Sequence, residues 1–222
     1  MQKVKLFILL IALVAMQGCV ASRTEMTGKF NQLSQSNPDP GKVSVFFNFR
    51  HISQQHGWDS IPKLKSQGVN DFNNIFRDSL VEIGNISRYD TFTESPTDVD
   101  SPKRREELDS FKKTNDYTIS LDFFEESSFQ QQCFSVIISL CSLTVIPMPY
   151  TWDYTITAKV TDKNGRQAGT YQRKASLSQW TQALLLFAYP FYPYEGKREE
   201  IYSEALHDIF KQIENERVLK KL

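Results

Sequence analysis

The stretch Trp152 to Ser176, "WDYTITAKVTDKNGRQAGTYQRKAS", restricts the possible folds more than any other part of the chain. Trp152 to Asp162 alternates apolar and polar residues, the period of a strand with one buried face. Gln167 to Ser176 reads as the returning strand. Between them, Asp-Lys-Asn-Gly-Arg reads as a hairpin turn, because Asn-Gly supplies the positive φ angles that a tight primed turn requires. An antiparallel pair is therefore predicted here, with Gly165 at positive φ.

The other elements are placed around this pair. Lys42 to Arg50, "KVSVFFNFR", is rich in β-formers and partly alternating, hence a strand. "HISQQHGWDSIP" reads as a loop. Val69, Phe72, Ile75, Phe76, Leu80 and Ile83 recur at spacings of three and four, which predicts an amphipathic helix over 67–83 with Gly84 as its C-cap. Ile86 to Phe92 is a short strand. Ser101-Pro102 opens a charged helix over 104–113, since Pro suits a first helical turn. Its apolar face is Leu108 and Phe111. Asp116 to Phe124 alternates as a strand. Ile201, Ala205, Leu206, Ile209, Phe210 and Ile213 form the buried stripe of a last helix over 198–219. The predicted order is β-α-β-α-β-β-β-α. The fold class is α+β, a mixed, mostly antiparallel sheet packed with helices in a single domain.

The start of the chain predicts where that domain resides. Lys3 and Lys5 precede a continuously apolar run, Leu6 to Met16. That run is shorter than the roughly 20 residues a bilayer span needs. A basic start followed by a short apolar core describes a secretory signal peptide. It ends Met16-Gln17-Gly18-Cys19, which resembles the bacterial lipobox. The resemblance implies removal of residues 1–18, a diacylglyceryl group on the Cys19 thiol and an acyl chain on the new N-terminus. Several acyl chains anchor a protein stably. Val20 stands where Asp would mark inner-membrane retention, so the lipobox resemblance implies the outer membrane. Residues 19–41 are polar with two prolines and read as a flexible tether. Residues 42–219 are left as one periplasmic domain. The whole chain carries 26 basic and 26 acidic residues, and this balance gives no basic face for nucleic acid.

A family resemblance accompanies these elements. "KVSVFFNF", the helix ending "SLVEIGNISRYDTF", "LDSFKKTNDYTISLDF" and "YTITAKVTDKNG" resemble the periplasmic lipoprotein group of CsgG, LpoB, PelC and the N-terminal domain of TolB. Asp116-Tyr117 and Asp162 to Gly165 carry the likeness. Lys113-Thr114-Asn115 replaces the group's usual Leu-Gly-Ala. The resemblance implies an α+β envelope domain.

Catalytic and cofactor motifs are missing from the sequence. There is no G-x-S-x-G, H-E-x-x-H, P-loop or G-x-G-x-x-G. His51 and His56 sit in the predicted loop without further ligands and read as solvated. Glu125-Glu126 and Glu199-Glu200 read as solvated charges. No catalytic residue, metal ligand or cofactor is expected. Two apolar stretches remain, Cys133 to Pro147 and Trp180 to Tyr194. They read as a buried strand and a buried helix. Alternatively their aromatic ends, Pro147, Tyr150, Trp152, Trp180, Phe187, Tyr189, Phe191 and Tyr192, form a contact for membrane or partner. Cys133 and Cys141 are expected to be reduced and buried. Their Cα atoms would lie roughly 26 Å apart in one straight strand and about 12 Å apart in one helix, both too far for a disulfide, which needs the chain to reverse near Ile137 to Leu140. The function expected is a non-enzymatic, lipid-anchored accessory that binds an envelope protein in assembly, secretion or transport. A self-assembling ring or pore subunit is the alternative, and a periplasmic enzyme the third.

Overall fold

The computed structural model describes residues 18–32, 41–59, 61–66, 69–142, 146–182 and 194–221. The elements in chain order are β1 (Gly18–Arg23), β2 (Val43–His56), β3 (Lys63–Lys65), α1 (Phe72–Ser79), β4 (Ile86–Thr93) and α2 (Pro102–Thr114). There follow β5 (Tyr117–Ser128), α3 (Phe129–Cys141), β6 (Met148–Asp162), β7 (Gln167–Gln182) and α4 (Tyr194–Asn215). The seven strands form one sheet in the order β1-β7-β6-β5-β2-β3, with β4 also paired to β2. β2 runs parallel to β4 and β5, and the other pairings are antiparallel. The fold is the mixed, mostly antiparallel α+β domain that the sequence predicts.

Parallel neighbours need crossover connections, and the helices of such connections cover the sheet. α1 lies between β2 and β4 in the chain, and α2 between β4 and β5. The β2 side chains therefore divide between two covered faces. Phe47 and Phe49 meet Phe76 of α1, each with ring centroids 4.9 Å apart. Phe46, on the opposite face, stacks on Phe111 of α2 at 5.4 Å. α4 completes the first face. Its Ile201, Ala205, Leu206, Ile209, Phe210 and Ile213 are fully buried, and each large side chain among them contributes about 1.5–3 kcal/mol. Arg173 of β7 fastens α4 to the sheet. It is buried, and its Nε donates to Asp208 at 2.5 Å while Nη2 donates to Gln212 at 2.6 Å.

Asp116, part of the motif behind the family resemblance, stitches the register of β2 and β5. Its carboxylate accepts from the Ser44 N–H and the Ser44 hydroxyl, both at 2.8 Å. These bonds hold its pKa below the usual carboxylate value. Its carbonyl accepts from the N–H of Lys163 at 2.9 Å, which ties the β6–β7 turn to the same point.

Several expectations need correction. The turn is not a primed two-residue hairpin: Gly165 alone in it has positive φ, at 78°. The Gly165 N–H donates to the Asp162 carbonyl at 2.9 Å, and a register shift follows at Val160/Thr161. This is a β-turn followed by a left-handed glycine and a bulge. The Asp162 carboxylate accepts from the Asn164 and Arg166 N–H groups, both at 2.8 Å, and so takes over the turn. Gly84 has no positive φ. A single 3-10 turn at Leu80–Glu82 closes α1 instead.

The predicted tether, 19–41, contributes an edge strand. β1 pairs with β7 from Gly18↔Gln182 to Arg23↔Leu177. Ala21 and Met26 enter the core, and the Phe30 N–H donates to Asp208 at 3.0 Å. The predicted loop after Arg50 is the second half of β2, whose polar residues pair with β5 as far as His56↔Ser128. Cys133 to Cys141 is helical, not a strand. Both cysteines are free as expected, but exposed rather than buried. β7 extends through Trp180, which the sequence assigned to the second apolar stretch.

His51 is not a solvated loop residue. It is buried, with its ring stacked on Phe123 at 4.8 Å and edge-on to Phe72 at 5.1 Å. Neither ring nitrogen has a hydrogen-bond partner. Burial, then the charges of Arg198 and Lys65, lower its pKa from 6.5 to about 4. The unfolded chain therefore binds a proton before the folded one. Stability is complete above pH 6.5 and falls as the pH drops toward 4, by about 3 kcal/mol in total. His51→Phe removes the titrating group and keeps an aromatic ring. Urea unfolding is expected to show a stability difference between the two proteins that changes by that amount across this interval; a constant difference would contradict the burial of a neutral His51. For the cysteines, thiol counting on the unfolded, unreduced protein is expected to find Cys133 and Cys141 both reactive. Their loss to a disulfide would contradict α3.

Candidate functional site

Charge is distributed unevenly along the chain. No charged residue lies between Lys5 and Arg23, between Glu126 and Asp153, or between Lys174 and Glu195. The topology brings the described parts of these stretches to one end of the sheet. β5 ends at Ser128, in register with His56 at the end of β2. β6 begins at Met148, in register with Thr181, which is also opposite Cys19 of β1. The backbones of Cys19, Thr181 and Met148 thus form one row across β1, β7 and β6. Residues 183–193 lie outside the described residues, and so do the sequence-selected Phe187, Tyr189, Phe191 and Tyr192.

α3 stands at this end, between β5 and β6, and its polarity is inverted. Ser128 caps it, accepting from the Gln131 N–H at 3.3 Å. The polar side chains turn inward. Ser135 is buried and donates to the Pro149 carbonyl at 2.9 Å. Gln132 accepts from Gln55 of β2 at 2.6 Å. The apolar side chains turn outward, with Phe134 65%, Ile137 50% and Leu140 68% exposed. Their spacing of three residues puts them on one helical face. Covering such side chains would contribute about 1.5–3 kcal/mol each, a gain the isolated domain forgoes. Trp58, 70% exposed, packs its ring on Phe129 at 5.1 Å and extends the surface. Ile61, Val136 and Ile146 are exposed at the same end, whereas exposed Val81 and Tyr89 lie away from it.

The aromatic residues selected from sequence do not form one patch. Trp152 packs against the core, touching Tyr150 at 4.0 Å and Tyr194 at 4.9 Å. Trp180 lies in the register row of Pro149 and Val20, one residue out of step with Tyr150. Side chains alternate between sheet faces, so Trp180 belongs to the opposite face. Its Nε1 donates to Ser22 of β1 at 3.2 Å. Pro147 is exposed, at the start of β6. The residues that sequence reasoning missed are those of α3. A spacing of exposed Phe134, Ile137 and Leu140 is equally the signature of a core helix. The serines between them and the glutamines before them were the available hint.

Three of the four carboxylates in the Glu125-Glu126 and Glu199-Glu200 pairs face a basic side chain. Glu125 meets Lys65 at 2.9 Å and Glu126 meets His56 at 3.0 Å. Glu200 meets Arg23 at 3.1 Å. Among the described residues no three His, Cys, Asp or Glu side chains are grouped to hold a metal ion. Among them, too, no helix is long and apolar enough to cross a membrane.

No family model and no curated protein matches the chain. Among solved structures it is weakly similar to PelC from Paraburkholderia phytofirmans. One dodecamer of a PelC variant shares 10% identity over 87% of this chain and 99% of that one, at a TM-score of 0.33. A second PelC dodecamer shares 9% over 86% and 96%, at 0.32. At these scores the likeness is one of outline and assigns no property to this chain.

Proposed function

We propose that this chain is a non-enzymatic component of the bacterial cell envelope. It is anchored to the outer membrane by acyl chains on Cys19, with its domain in the periplasm. It acts there as an accessory that binds an envelope protein in assembly, secretion or transport. The observation that carries this reading is the sequence Met16-Gln17-Gly18-Cys19 after a basic start and a short apolar run. The position of Cys19 supports it. The residues after the cysteine do not trail away as slack but enter the sheet directly, opposite Thr181. An anchor there would hold the domain at the membrane surface. Glu125, Glu126 and Glu200 each face a basic side chain, which suits a structural role for them better than acid–base catalysis.

Replacing the thiol tests the anchor. Cys19→Ser is expected to abolish incorporation of a fatty-acid probe and to release the protein from the membrane fraction. Continued labelling of the serine variant would contradict the proposal.

A further inference from the structure

We infer that α3 lies in the interfacial layer of the membrane that receives the N-terminus, with Phe134, Ile137 and Leu140 among the acyl chains. This deepens the anchored reading above and rests on it for the identity of the membrane.

The inverted polarity of α3 comes first. Its inward Ser135 and Gln132 are hydrogen-bonded, so the helix is seated on the sheet by satisfied polar contacts. Rotation to bury its apolar face would break them. The outward face is thus a fixed surface rather than a misplaced core. It contains Cys133, Phe134, Ile137, Leu140 and Cys141, all exposed.

Charge selects lipid over protein as the occupant. A protein interface carries a polar rim, with arginine enriched among its residues. Here no charged residue occurs from Ser127 to Trp152, on the helix, before it or after it. A helix face without charge suits the hydrocarbon boundary, and the Asp59–Lys63 pair beside Trp58 and Glu126 before the helix belong to neighbouring elements.

Chain continuity selects the same occupant. The apolar run Leu6 to Met16 leads into β1 at Gly18. Whether that run is retained or replaced by acyl chains, the hydrocarbon joins the sheet in the row Cys19, Thr181, Met148. Neighbouring strands are about 4.8 Å apart, so Cys19 and Met148 are separated by about 10 Å. Met148 is where the chain arriving from α3 enters the sheet. The helix is 13 residues long, about 20 Å at 1.5 Å per residue. That is too short to span, and a helix with one apolar face lies in the plane of the interface.

The exposed cysteines provide the test. The full acylated chain is prepared with Cys141→Ser or Cys133→Ser, so that one α3 thiol remains, and is labelled with an NBD fluorophore. A third preparation carries both serines and Asn164→Cys, at the turn on the opposite end of the sheet. Each is reconstituted into phosphatidylethanolamine–phosphatidylglycerol vesicles with and without doxyl-labelled lipid. Labels at Cys133 and Cys141 are expected to be quenched several-fold more than the label at 164. The pair Phe134→Asp and Leu140→Asp is expected to reduce that quenching several-fold without lowering the melting temperature, because both side chains are exposed. Equal, weak quenching at all three positions on vesicle-bound protein would overturn the inference. Shielding that rises with protein concentration, without lipid quenching, would also overturn it and give the face to a second copy. The N-terminal mass of the same preparations reports acylation separately. Unacylated protein whose α3 labels are still quenched would overturn the anchor and leave α3 in lipid.

Discussion

The seating of β2 between two parallel neighbours is the constraint on which the rest of the domain depends. Parallel pairs on both sides require two crossovers, and these bring α1 and α2 onto opposite faces of one strand. Phe47 and Phe49 on one side and Phe46 on the other bury without competition for space. α4 then closes the first face along its whole length. β5, β6, β7 and β1 are free to run antiparallel, with a polar second face. Because that run alternates direction, it returns the end of β5, the start of β6, the end of β7 and the start of β1 to the same end of the sheet. The described parts of the uncharged stretches meet there as a consequence of topology.

This arrangement changes the meaning of the residues after Cys19. As a tether they would let the domain wander from the membrane by tens of ångströms. As β1 they leave no slack, and Ala21, Met26 and the Arg23 ion pairs with Glu200 and Glu204 lock them to the core and α4. An anchored cysteine would then orient the domain as well as retain it. The exposed face of α3 is placed where such an orientation would use it.

Much of the fold was legible because burial on one face leaves a period. The α4 stripe and the β6–β7 alternation are unambiguous for that reason. The illegible parts lack that asymmetry. β1 is an edge strand with one partner, and Ala21 and Met26 are too few to mark it. The second half of β2, "ISQQH", is polar because it lies near the end of the sheet, yet its backbone pairs with β5 throughout. α3 defeated the reading in another way. Periodicity reports that a helix has an apolar face, but not whether that face turns in or out. Only the hydrogen bonds of Ser135 and Gln132 settle the direction. The candidate site was therefore half visible. The uncharged stretches stood out, while Tyr150, Trp152 and Trp180 were assigned to a single patch that the alternation of strands divides.

The docking of the first residues after Cys19 is the central claim, and amide hydrogen exchange on the membrane-attached protein tests it directly. The Thr24 and Thr27 N–H groups donate to the Ser176 and Lys174 carbonyls of β7, each at 2.8 Å, and alternate amides of β1 are bonded to the same strand. They are expected to exchange slowly, with protection approaching that of β7. Exchange from Val20 through Thr27 at the rate of an unstructured chain would contradict the account, returning this segment to a tether and separating the anchor from the sheet.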